Sequence, residues 1–125
     1  MEHRGSHLSA LLMLSLLWPL AGCDRPMFNM RKLEQVRAEA HLLMRTHPAG
    51  PRGSWHELPK ADWPPSIASL NPKYVAVAKG SVDIVTRPFF DGGWGYNVPR
   101  AKRDLPMPLE CYSEPSDGVF WHGPC

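Results

Sequence analysis

Residues 74–86 read YVAVAKGSVDIVT, and this stretch decides the fold. The run Tyr74–Ala78 alternates valine with alanine, Lys79-Gly80 is a turn signal, and residues 82–86 add a second run with a β-branched interior. Two such runs joined by a short glycine-containing turn are typical of an antiparallel β-hairpin. The sequence therefore predicts a hairpin over residues 74–86, as part of a small sheet.

Further strands are predicted on the C-terminal side of the hairpin. The turn signal at residues 91–93 precedes an aromatic third strand that ends at Pro99. Residues 100–117 are polar and interrupted by prolines, which predicts a connection, and residues 118–122 can supply a last aromatic strand. We expect a small antiparallel sheet of three to four strands with proline-rich connections.

An amphipathic helix is predicted on the N-terminal side of the hairpin. Asn29 can cap its first turn, and Pro48 with Gly50 ends it. Its apolar positions recur at intervals of three and four, at Met30, Leu33, Val36, Ala40 and Leu43. This apolar stripe could lie on a membrane surface, but it lacks the Trp, Phe and Lys/Arg content of interfacial helices, which favours packing on the sheet. The expected fold class is α+β.

Residues 48–65 are rich in proline and glycine and predict a surface connection that Trp55 and Leu58 hold to the body. A short helix is expected to begin at Pro64-Pro65, with Ile67 and Leu70 facing inward.

The N-terminal region has the layout of a secretory signal. Arg4 precedes a leucine-dominated run over residues 8–20, and that run is shorter than the ~20 apolar residues that cross a bilayer. Directly after it stands Leu20-Ala21-Gly22-Cys23. This motif resembles the lipobox of bacterial lipoproteins. The resemblance covers residues 1–23 only, and residues 24–125 resemble no family that we can name.

The lipobox resemblance implies cleavage between Gly22 and Cys23, with a diacylglycerol on the Cys23 thiol and an acylated new amine. Two or three fatty chains make a membrane attachment stable, whereas one holds only marginally. The resulting division is a signal peptide over residues 1–22, a lipidated cysteine and tether over 23–29, and a single domain over 30–125. We therefore expect a lipid-anchored protein of the bacterial envelope that faces the periplasm. Asp24 weakly favours the inner membrane, because it resembles a retention signal of enteric-type lipoproteins.

Charge and cysteine usage agree with export. The chain carries a formal charge of +2 at pH 7, and the signal region contains one residue of each sign, so the mature part keeps that balance. Such a chain lacks the dense basic stripe of a nucleic-acid binder, and we expect no nucleic-acid partner.

With Cys23 lipidated, Cys111 and Cys125 remain as an even pair in an oxidising compartment, which predicts a disulfide. A metal-binding or reactive thiol is disfavoured, because no second cysteine stands at ligand spacing.

No coherent catalytic motif is found. The mature histidines are expected to be solvated or singly hydrogen-bonded, at His41, His47, His56 and His122. Surface positions are expected for the carboxylates Asp83, Asp91 and Glu110. We therefore predict neither a metal site nor a cofactor.

Aromatic residues form the richest cluster, and most are expected to fill the core of so small a domain. An open alternative is an exposed platform around the Asp91 turn for an envelope protein or a glycan strand, formed by Phe89, Phe90, Trp94 and Tyr96. The sequence favours a membrane-anchored, non-catalytic binding or accessory subunit. The rival hypothesis is a small envelope hydrolase or metal-dependent enzyme that uses His56, Glu57 and carboxylates near Asp91.

Overall fold

The computed structural model describes residues 29–90 and 92–125. The predicted lipidation site Cys23, the following Asp24 and the turn residue Asp91 lie outside the described residues, so their expected roles stay predictions. The helices and strands follow in the order α1 (Met30–Thr46), β1 (His56–Glu57), α2 (Pro65–Ala68), β2 (Tyr74–Ala78), β3 (Ser81–Arg87), β4 (Trp94–Pro99), β5 (Tyr112–Ser116) and β6 (Val119–His122). The α+β class is confirmed.

All neighbouring strands of the sheet are antiparallel, in the order β1-β2-β3-β4-β6-β5. The predicted hairpin forms: β2 and β3 pair around Lys79-Gly80, and Gly80 takes a positive φ of 82° that favours glycine. The last strand also forms as expected, and it pairs with β4.

The expected count of three to four strands is wrong, because the sheet has six. The strand β1 is only two residues long and too short to leave a periodic pattern. The strand β5 lies in the stretch expected to be a connection, and it contains Pro115. Proline is tolerated there because β5 is an edge strand, and its pairing with β6 is interrupted between Ser113 and Ser116.

The helix α1 begins where the sequence predicts. The Asn29 side chain accepts a hydrogen bond from the Lys32 backbone N–H at 3.1 Å, which caps the first turn. The apolar stripe is buried on the sheet from Leu33 to Leu43, whereas Met30 at its start is exposed. Among the residues that the structure describes, no helix has the length and apolarity to span a membrane.

The short helix α2 also forms where expected, with Ile67 buried and Leu70 packed against the core. Its first turn is held to α1 by Glu39, whose carboxylate accepts backbone N–H bonds from Ser66 at 2.7 Å and Ile67 at 3.2 Å. A carboxylate at this position satisfies amides that have no partner within the helix.

The disulfide between Cys111 and Cys125 is confirmed, with the two Cα atoms 5.9 Å apart. It closes the C-terminal segment onto the start of β5, so β5 and β6 are tied together at both the turn and the chain end.

Candidate functional site

The face of the sheet opposite α1 carries buried polar side chains. Side chains alternate along β3, so Val82 and Ile84 enter the core beneath α1 while Asp83 faces the other way. Asn97 of β4 pairs in register with Asp83, and Phe120 of β6 pairs with Asn97. His122 is two residues after Phe120, so its side chain lies on the same face of the sheet as those of Asp83 and Asn97. Asp83, Asn97 and His122 are 8%, 1% and 4% exposed. Buried polar groups are costly unless they are paired, so their partners define the site.

Asp83 and His122 form a buried hydrogen-bonded pair, which is an ion pair when His122 is protonated. The Nε2 atom of His122 lies 3.3 Å from Oδ1 of Asp83, and its Nδ1 atom lies 3.4 Å from the carbonyl oxygen of Gly123. Burial lowers the pKa of His122, but the hydrogen bond to Asp83, the charge of Asp83 and nearby carbonyl oxygens together raise that pKa above its ordinary value. Both ring nitrogens of His122 therefore lie against protein oxygen atoms, so neither nitrogen is directed at a substrate.

Asn97 extends the polar row towards the other end of the strands. Its Nδ2 atom donates to the Ser81 hydroxyl at 3.4 Å, and Ser81 is itself buried. Its Oδ1 atom is buried and has no hydrogen-bond partner among the described residues. This orphaned oxygen adds to the polar character of a face that an ordinary core would fill with apolar side chains.

A cavity of about 140 Å³ opens beside the ion pair. Its walls contain Asp83 and His122 together with Trp55, Gly92, Pro106, Met107 and Tyr112. The Tyr112 ring meets the His122 ring edge to face at 5.7 Å, and the Tyr112 hydroxyl accepts the Met107 backbone N–H at 3.3 Å. Tyr112 follows directly after the disulfide-bonded Cys111, so the disulfide fixes one wall of the cavity.

The predicted aromatic platform is brought together only in part. Phe90 is 97% exposed and Phe89 is 54% exposed. Phe89 meets Trp94 edge to face at 5.7 Å, and the Arg87 guanidinium lies over the Trp94 ring at 4.7 Å. Tyr96 instead lies in the core with only 3% of its surface exposed. Trp94 and Tyr96 lie on the same side of β4, but α1 covers only Tyr96.

The loop between β3 and β4 places the two exposed phenylalanines, and Gly93 is what lets the chain turn back. Gly93 has a φ of 101°, and a Cβ atom there would collide with the Arg87 carbonyl oxygen. Gly92 of the same loop lines the cavity. The exposed rings of Phe89 and Phe90 and the half-buried ring of Trp94 are called the aromatic surface below, and the loop that carries the two phenylalanines reaches the cavity at Gly92.

The residues expected for the rival enzyme do not converge. His56 and Glu57 are neighbours in β1, so their side chains point to opposite faces of the sheet. The His56 ring lies 6.2 Å from the ring of His47. Across residues 29–90 and 92–125, no group of three or more His, Cys, Asp or Glu side chains could hold a metal ion.

Two expectations about single residues are wrong. Asp83 is buried rather than on the surface, because its position on β3 faces the covered side of the sheet. His122 is neither solvated nor singly hydrogen-bonded, since both nitrogens face acceptors. The sequence did carry one signal for Asp83, which is a single acid inside a β-branched run. Because acids are almost never fully buried without a partner, an acid at such a position indicates a paired group.

Comparisons of the chain with protein-family models, curated proteins and solved structures found no match.

Proposed function

We propose that the chain is a membrane-anchored lipoprotein of the bacterial cell envelope, and that its folded part is a non-catalytic binding or accessory subunit. The lipobox at residues 20–23 supports the anchor and the periplasm-facing location. The aromatic surface supports binding: exposed apolar rings in one place are typical of interaction sites.

The exposure of Phe90 is the observation that carries the binding role. Its ring meets that of Phe89 edge to face at 5.8 Å, so two phenylalanine rings lie together on the surface. Folding gains little from a ring that is 97% exposed. An envelope protein or a glycan strand could cover such rings, because aromatic faces suit both the apolar centre of a protein interface and the faces of sugars.

The Asp83–His122 pair is the one feature that favours an envelope hydrolase instead. A histidine acting as a general base needs one free nitrogen directed at the substrate, while the other is oriented by a carboxylate. Here Nε2 contacts Asp83 and Nδ1 contacts the Gly123 carbonyl, which leaves no such nitrogen. The geometry of the pair supports a structural or electrostatic role over proton transfer.

The anchor is tested with the full chain in a bacterial host. The wild-type protein should partition with membranes, and its mass should show loss of residues 1–22 and acylation of Cys23. The Cys23→Ser variant should keep its signal or be released. A wild-type product with an unmodified Cys23 thiol and an intact signal would disprove the anchor.

The binding role is tested by replacing Phe90 with a photo-crosslinking phenylalanine analogue in the same full chain. Leu42 of α1 is the matched control, because it is also a large exposed apolar residue, at 48% exposure. We expect a discrete crosslinked product from position 90 that is absent from position 42 and reduced by Phe89→Ser. Equal products from both positions, or none from position 90, would contradict a binding role for the aromatic surface.

A further inference from the structure

The cavity beside the ion pair has a composition that limits what can occupy it. Trp55 and Tyr112 supply aromatic surface, and Met107 adds a polarisable thioether. An apolar cavity of roughly 150 Å³ holds one benzene molecule, so a cavity of about 140 Å³ has room for one small group rather than a polymer. Trp55 is 57% exposed, which leaves an approach from solvent.

The charged groups of the walls disfavour an anion as the occupant. The lining contains one carboxylate, that of Asp83, whose Oδ1 lies 3.3 Å from Nε2 of His122. The second carboxylate oxygen of Asp83, Oδ2, has no hydrogen-bond partner among the described residues. A bound anion would face this oxygen at close range, and a wholly apolar group would remove water from it without replacing a hydrogen bond.

A second carboxylate, that of Glu57, lies on the same face of the sheet as Asp83. Glu57 pairs in register with Ala76, and Ala76 pairs with Asp83, so Glu57 is in the same row of the sheet and on the same face. Burial raises the pKa of Tyr74, and the charges of Asp83 and Glu57 raise it further. Burial is also the main cause of the raised pKa of Tyr112, to which Asp83 contributes.

We propose that this cavity binds an organic ammonium group, with Trp55 and Tyr112 providing aromatic surface and the Asp83 carboxylate providing the countercharge. Aromatic faces attract cations through their negative π-clouds, and rings combined with a carboxylate are how proteins recognise alkylammonium groups. The proposal does not depend on the aromatic surface, because neither Phe89 nor Phe90 is among the described residues that line the cavity.

The experiment compares two ligands of the same shape and different charge. The full chain in detergent micelles is titrated with choline chloride and, separately, with the neutral isostere 3,3-dimethyl-1-butanol, with binding measured by calorimetry. Sodium chloride at matched concentration controls for ionic strength. Choline should bind at least about tenfold more tightly than the isostere, a ratio that corresponds to one ring contact plus the charge. Titration with n-butylammonium then shows whether the site prefers a quaternary or a primary ammonium.

Two variants test whether choline binds in the cavity or at the aromatic surface. Trp55→Leu should weaken choline binding roughly 2- to 30-fold, the range expected from losing one cation–π contact. Its ring is more than half exposed, so the variant should fold, and circular dichroism checks that it does. Phe90→Leu removes an exposed ring that is not part of the cavity lining and should leave choline binding unchanged.

Three results would overturn the proposal: equal affinity for choline and its isostere, no binding of any ammonium probe, or a Trp55→Leu variant that binds choline like the wild type. A loss of choline binding in Phe90→Leu would place the site elsewhere and overturn it too. Failure of the crosslinking experiment would refute the binding role of the aromatic surface and leave the cavity proposal standing, so the two can be told apart.

Discussion

Substitution of Asp83 or His122 should strongly destabilise the protein. Removing one partner of a buried ion pair leaves the other charged and uncompensated, at a cost of about 3–5 kcal/mol. The Asp83 side chain keeps 12% of its surface exposed at the cavity, so the lower end, about 3 kcal/mol, is expected for Asp83→Asn. The matched control is Asp117→Asn, which removes a surface pair with Arg37 and should cost at most about 1 kcal/mol.

The pair also predicts how stability depends on pH. The pKa of His122 is raised in the folded protein, so its stabilisation is complete below the ordinary value of 6.5 and is lost as pH rises through the folded-state pKa. The contribution of His41 to the pH dependence of stability has the opposite sign. Burial and the charges of Arg37, Arg45 and Arg100 lower the pKa of His41, so its contribution is lost as pH falls below 6.5.

The pH range above 6.5 therefore isolates His122. Tyr74 and Tyr112 have pKa values raised above their ordinary 10.0, so they affect stability only at higher pH than the range used. Urea unfolding between pH 6.5 and about pH 9, followed by circular dichroism, should show the wild-type free energy of unfolding falling with pH. In His122→Asn this fall should disappear. A variant that declines as steeply as the wild type, or an Asp83→Asn cost no larger than that of Asp117→Asn, would refute the reasoning.

Three further predictions concern elements that position the site. Leu33→Ala should cost about 2–5 kcal/mol in urea unfolding because Leu33 is fully buried on the sheet-facing side of α1, whereas Leu42→Ala, at a half-exposed position of the same helix, should cost under about 1 kcal/mol. Replacing both Cys111 and Cys125 with serine should lower the free energy of unfolding by roughly 3 kcal/mol, measured against the wild type with and without reductant. Glu39→Gln keeps the shape but removes the charge that caps α2, and should cost about 1–2 kcal/mol in urea unfolding.

The sequence was informative wherever local chemistry and tertiary packing favour the same structure. The helix α1 has a cap at Asn29 and a stripe at helical spacing, and the β2–β3 hairpin has a glycine turn between valine-rich runs. Both form as predicted. The strand β5 was missed because its pairing depends on β6, its neighbour in the sheet, and not on its own propensity: Glu114 and Pro115 are poor strand residues that an edge position tolerates.

The candidate site was harder to predict for a related reason. Its walls come from a loop before β1, from β3, from the segment before β5 and from the end of β6, so no short motif contains them. Even the decisive feature, the burial of Asp83, requires knowing that residues 106–112 cover the second face of the sheet. Periodicity indicates that alternate residues of β3 face opposite sides, but it does not tell which sides are covered.

The covering of that second face connects the fold to the proposed site. A sheet with one helix layer can leave its other face in water, and polar residues such as Asp83 and Asn97 would then need no explanation. Here the proline-rich segment before β5 is held over that face by the Cys111–Cys125 disulfide and by the Met107–Tyr112 hydrogen bond. These constraints turn an ordinary polar face into a small enclosed cavity with a carboxylate in its wall. If the disulfide closes the cavity, replacing both cysteines should weaken ammonium binding while α1 and its packing on the sheet stay unchanged.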